Sequence, residues 1–144
     1  WYTVLPHLLQ QSTDRPDLVD CKAMLLETIQ SNLPSQDQQW YTPLQLRLMG
    51  AWGRYLFETD TEEQRLKEAF HWQKLCFEHW FIQGLFYEAS YPLCAMMQLC
   101  DSLPDNDTLV WEYWLSFKRK PNSKYQTILQ FMPPLWQKRI QMSC

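Results

Sequence analysis

The sequence predicts an all-α protein, a single irregular bundle of about six to eight helices around a long, aromatic-rich central helix. Three observations predict it. Apolar residues recur at helical spacing, as in Leu66, Ala69, Phe70, Phe77, Trp80 and Phe81. Helix-start signatures occur at Thr42-Pro43-Leu44-Gln45, Thr61-Glu62-Glu63-Gln64 and Ser123-Lys124-Tyr125-Gln126. With 3 Gly, no Asn-Gly or Asp-Gly pair and no sustained alternation, nothing supports hairpins or strands.

Taken in order, Leu5, Leu8 and Leu9 predict a short first helix ending near Gln11. Asp14 as N-cap and Pro16 in the first turn open a second, which runs to about Ser31 with Leu18, Cys21, Leu25, Leu26 and Ile29 on one face. A polar connection containing Pro34 follows. At Thr42 three signals agree: Thr as cap, Pro at the first helical position and Gln three residues on. The helix it opens carries Leu44, Leu48, Met49, Trp52, Tyr55 and Leu56, with Gly50 and Gly53 letting a neighbour approach. The capping box at Thr61 opens the central helix.

Residues 69–97 contain only Lys74, Glu78 and Glu88 as charged residues, so this stretch must be buried. Trp72, Leu75, Cys76 and Ile82 widen its apolar stripe, and Trp52, Phe70, Phe77, Trp80 and Phe81 are expected among the most buried side chains. Two ends are open to it. Gly84 could stop the helix, but the expected break is at Ser90-Tyr91-Pro92, because the residue before proline avoids the helical region. Leu93, Met96, Met97 and Cys100 form the next helix. Asp107 caps another, with Val110, Trp114 and Phe117 inward and Lys118, Arg119 and Lys120 at its C-terminus, where the dipole favours cations. Tyr125, Ile128, Leu129 and Met132 form a last helix stopped by Pro133-Pro134, with Leu135, Trp136 and Ile140 as a tail.

At 144 residues the chain is long enough for one core and reads as one domain, 1–144. It begins at Trp1 and shows no leader pattern, so it reads as a fragment of a longer protein. Uncharged runs such as residues 89–100 fall well short of the ~20 residues a membrane span needs, so no membrane insertion is expected. The 5 cysteines are an odd number, scattered, without Cys-x-x-Cys; they read as reduced thiols of a cytoplasmic protein. The net charge of −3 is unevenly spread. Residues 1–110 carry seven Lys/Arg against fifteen Asp/Glu, a balance of −8, and residues 111–144 carry six against one, a balance of +5. That split is either a solvated face or a bipolar surface able to steer a partner or a second copy.

The sequence offers little for catalysis. Glu68 and His71 form a Glu-x-x-His pair, but a di-metal bundle needs a second such pair and two more carboxylates. Cys76 and His79 have helical ligand spacing without the further pair a structural zinc site requires. There is no phosphate-binding glycine loop, no Gly-x-Ser-x-Gly and no His-Glu-x-x-His. No catalytic, cofactor or metal residues are therefore assigned, and the chain reads as a non-enzyme. The basic run Lys118 to Lys124 is small for nucleic acid and half explained by helix capping, so no nucleic-acid partner is expected. Trp40, Trp72 and Trp111 are spaced loosely like a tetratricopeptide array, but the other repeat positions do not recur.

Residues 17–104 resemble the middle region of TssA-family (ImpA/VasJ-like) type VI secretion proteins. The residues carrying this are Leu33-Pro34 after the second helix, Thr42-Pro43-Leu44, the aromatic segment His79-Trp80-Phe81-Ile82-Gln83 and the closing Leu103-Pro104. Ile82 stands where that family carries an acidic residue. The resemblance implies a non-enzymatic, cytoplasmic assembly domain whose partners are the baseplate, tube and sheath of a contractile injection apparatus. A helical-repeat adaptor unrelated to secretion is the alternative. With 8 Trp, 7 Tyr, 7 Phe and 6 Met, the chain has more large apolar residues than a small core needs, which predicts a homodimer. Its expected contact residues are Trp72, Phe86 and Tyr87 on the exposed side of the central helix, with Trp136 near the C-terminus.

Overall fold

The computed structural model describes residues 19–59, 61–121 and 123–143. Among them are seven α-helices and no strand, so the all-α expectation holds. They are α1 (Val19–Asn32), α2 (Pro43–Thr59), α3 (Glu63–Ile82), α4 (Phe86–Leu99), α5 (Asp107–Lys118), α6 (Tyr125–Ile128) and α7 (Pro134–Met142), with short 3-10 turns at Pro104–Asn106 and Leu129–Phe131. The expected helix at Leu5, Leu8 and Leu9, the Asp14 cap with Pro16, and Leu18 lie outside the described residues, as does the side chain of Cys21.

α2, α3 and α4 form the body, each packed on the next. α2 and α3 are antiparallel: Gly53 lies on Trp72, the Gly50 carbonyl accepts from Gln73 Nε2 at 3.0 Å, and Cys76 Sγ donates to the Leu46 carbonyl at 3.4 Å. At the far end the Tyr41 and His79 rings meet edge to face at 4.6 Å. This close approach needs Gly53. A Cβ there would lie 3.0 Å from Gln73 Nε2 and 3.1 Å from the Trp72 Cβ.

The stretch read as one central helix is two. α3 stops at Ile82, and Gly84, at φ 77, supplies the left-handed turn that sends α4 back along α3. Pro92 lies inside α4, so the break expected at Ser90-Tyr91-Pro92 is absent. The pre-proline penalty of one position is outweighed by the packing of α4, whose Leu93, Met96 and Met97 are fully buried. α5 then runs alongside α3 in the same direction. Tyr113 packs at a tilt against Phe77, ring centres 4.8 Å apart, and donates to Glu78 Oε1 at 3.0 Å, while Lys120 Nζ sits 5.4 Å from the centre of the Phe81 ring.

The expected Thr42 capping box forms in both directions: the Gln45 amide donates to Thr42 Oγ1 at 3.1 Å and the Thr42 amide to Gln45 Oε1 at 2.9 Å. The other two boxes do not form. α3 starts after Glu62 with no side-chain cap, and α6 follows Lys124, held at φ 51, which removes Ser123 from capping position. Asp107 begins α5 rather than capping it, and its carboxylate instead accepts from Arg139 at 2.6 Å. The residues expected as a tail are α7, with Pro134 at its first position and Trp136 and Ile140 buried.

Trp80, Trp114, Tyr41, Phe77 and Phe117 are the largest fully buried side chains. Trp52 and Phe70 are buried as expected. Phe81 is only half-buried, between Phe77 and Phe86, and Ile82, Leu44 and Leu25 face outward. One core thus absorbs most of the aromatic surplus, because α5 to α7 add a second layer of rings (Trp111, Trp114, Tyr125, Trp136) against the body.

Candidate functional site

The structure separates the four expected contact residues. Trp72 is buried between α2 and α3, since it stands on the face that Gly53 lets α2 cover. Trp136 is also buried; it stacks near Trp111 at 6.1 Å, and the Arg139 guanidinium lies 4.2 Å from the Trp111 ring centre and 4.9 Å from that of Trp136. Both belong to the chain's own core, which corrects their placement on an exposed surface. Phe86 is half-buried, edge-on to Phe81 at 5.6 Å. Tyr87 is exposed, and its hydroxyl lies 2.8 Å from that of Tyr91.

Tyr87 and Tyr91 form one wall of a groove of about 330 Å³ closed by Arg54, Cys94, Ile128 and Phe131. Its chemistry is quiet. The hydrogen bond with Tyr87, then burial, pushes Tyr91 up to about 12, and burial pushes the Cys94 thiol up to about 12, so both stay protonated at neutral pH. Burial likewise pushes Cys100 up to about 12 and Cys76 well above its ordinary value of 9.0. None of these thiols is poised as a nucleophile, which requires a lowered pKa.

The candidate metal pairs do not converge. Glu68 pairs with Arg65 at 3.5 Å, His79 packs on Tyr41, and Cys76 is engaged by the Leu46 carbonyl. No group of three or more His, Cys, Asp or Glu side chains gathers to hold an ion among the described residues. His71 instead lines an open hollow of about 450 Å³ with Phe70, Leu103, Pro104, Asp105 and Leu109. Within the core, the indole N–H groups of Trp72 and Trp80 are buried without an acceptor.

Part of the apolar surface that faces outward lies at one end of the body, while Tyr87, Phe131, Leu135 and Met142 are exposed elsewhere. Because α2 is antiparallel to α3, the start of α2 lies beside the end of α3, and the α3–α4 turn is there too. Ile82 is 80% exposed, Trp40 64%, Leu44 62% and Leu85 42%. α5 runs parallel to α3, so its basic C-terminus arrives at the same end: Lys118, Arg119 and Lys120, then Lys124. Sequence reasoning placed Ile82 and Leu44 in the core because their spacing fits the stripe. The deciding signal was Gly84, ranked below Ser90-Tyr91-Pro92 as a stop, whose turn leaves the last residue of α3 without a neighbouring helix turn to cover it.

No described helix is long and apolar enough to cross a membrane. Compared with known proteins, the chain matches no family model, no curated protein and no solved structure.

Proposed function

We propose that the chain is a non-enzymatic interaction domain that assembles with copies of itself and with other proteins. The observation that carries this reading is the apolar end formed by Trp40, Leu44, Ile82 and Leu85, with Lys120 over the neighbouring Phe81 ring and Arg119 beside it in the chain. Four large apolar side chains together in water are a cost that a contact removes; such patches mark interaction sites. The resemblance to TssA-family middle domains extends the proposal to a cytoplasmic factor placed among the baseplate, tube and sheath of an injection apparatus, with a homodimer as its smallest assembled form.

Purified chain mixed with sheath, tube and baseplate components, read by surface binding with each partner immobilised, tests the extended reading. Binding that Ile82→Ser weakens several-fold is expected. Self-association without binding to any of those components would leave a helical adaptor unrelated to secretion.

A further inference from the structure

The two ends of α3 carry opposite chemistry. At its C-terminal end stand the protruding Trp40, Leu44, Ile82 and Leu85, with Arg119 and Lys120 just beyond α5. Its N-terminal end meets the α2–α3 and α4–α5 connections, and exposed acids stand there: Glu58 in the last turn of α2, Glu62 and Glu63 at the start of α3, and Asp101 and Asp105 between α4 and α5. Of the cations near this end, Arg54 pairs with Glu58 at 2.8 Å, Lys67 with Glu63 at 3.5 Å and Arg139 with Asp107 at 2.6 Å, while Lys67 and Lys74 also line the larger hollow and Lys138 lies beside Leu135. Shape differs as well as charge. The acidic end has two open hollows, the one of about 450 Å³ over Phe70, Leu103 and Leu109, and one of about 250 Å³ beside Asp101, Leu135 and Trp136.

We propose that the basic, protruding end of one copy docks on the acidic, hollowed end of a second copy, its apolar side chains set into the hollows and its cations facing Asp101 and Asp105. The inference rests on the self-association reading above and specifies its surface. An anionic bilayer would also attract the basic end, but the complement in both charge and relief is present on the chain itself. The two surfaces stand at opposite ends of a 20-residue helix, about 30 Å apart, so each contact leaves one free end of each kind. The contact is therefore heterologous and extends into chains, unlike a closed two-fold pair.

Two double variants test this. Ile82→Ser with Arg119→Ser blocks the protruding end, and Asp105→Ser with Leu135→Ser blocks the hollowed end; all four side chains are at the surface, and circular dichroism and melting curves confirm that both variants fold. Sedimentation velocity at low salt should show wild-type mass rising with concentration past two copies and falling with added salt. Each variant alone should be monomeric, and an equimolar mixture should form pairs and nothing larger. If the hollow-end variant assembles like wild type, the contact is between like ends and the inference fails while self-association stands. If wild type associates and neither variant changes it, the surface is wrong. Wild type that stays monomeric overturns both readings, and binding of that monomer to phosphatidylserine vesicles would assign the basic end to a bilayer instead.

Discussion

Gly53 and Gly84 should both resist substitution, for different reasons. At Gly53 an added Cβ meets the Trp72 Cβ at 3.1 Å and the Ala69 carbonyl at 3.3 Å, and displaces Gln73 from the Gly50 carbonyl it satisfies. Gly53→Ala should cost about 1–3 kcal/mol by overpacking. Gly84 has open space around it but φ 77, so Gly84→Ala should cost about 1–2 kcal/mol of backbone strain alone. Denaturant unfolding separates the two causes. Asn tolerates the left-handed region, so Gly84→Asn should recover much of the loss, whereas Gly53→Asn should be worse than alanine. Equal responses at the two sites would contradict the assignment. The buried thiols give a second residue-level expectation. With Cys94 and Cys100 pushed up to about 12 by burial, native-state alkylation at neutral pH should be slow at both and become fast on unfolding, followed peptide by peptide by mass spectrometry. Labelling of Cys94 in the folded protein at the rate of a free thiol would contradict its raised pKa.

Capping tests the helix starts. Thr42→Ala removes one side of a closed capping box and should cost about 1 kcal/mol, while Thr61→Ala, where α3 has no side-chain cap, should change the unfolding midpoint little. A comparable loss at Thr61 would mean that its hydroxyl caps α3 after all. The two sites read almost identically as sequence. What distinguished them was the backbone around them, and the same holds for Ser123, displaced by the left-handed Lys124 beside it. Elements whose information is local, such as the Thr42 start and the Val110, Trp114 and Phe117 face of α5, were legible. The α3–α4 boundary was not, because Gly84 and Pro92 are both helix breakers and only the packing of α4 decides between them. α7 was also missed: it is held to α5 by Arg139, which bonds Asp107 and lies over Trp111 and Trp136, a contact between distant residues. Arg139→Ala should loosen α7 and cost about 1–2 kcal/mol, most of it from the two ring contacts, because the ion pair is substantially exposed. Arg139→Lys, a point charge without the planar guanidinium, should recover only part of it in the same assay.

Across the whole molecule, the raised thiols and phenols set the response to alkali. Each has a higher pKa folded than unfolded, so its contribution is fully present below the unfolded value and is lost as pH rises toward the folded one. Thermal stability should therefore begin to fall as pH rises through about 9, the ordinary value of the thiols, and continue falling through 12 as Cys94, Cys100 and Tyr91 are forced to ionise. A melting temperature constant from pH 8 to pH 11 would contradict the raised pKa values on which that rests. The candidate surface was only partly legible at this scale. The charge split between residues 1–110 and 111–144 was visible in the sequence, but Trp72 and Trp136 turned inward while Ile82 and Leu44 turned outward, because the direction a side chain faces depends on which helices arrive beside it. The central claim is that this is a self-associating interaction domain, and the solution mass of the wild-type chain tests it most directly. Light scattering over a concentration series at low salt should give a weight-average mass above 17.5 kDa that rises with concentration and returns toward 17.5 kDa as salt is added. A mass of 17.5 kDa at every concentration and salt would contradict it.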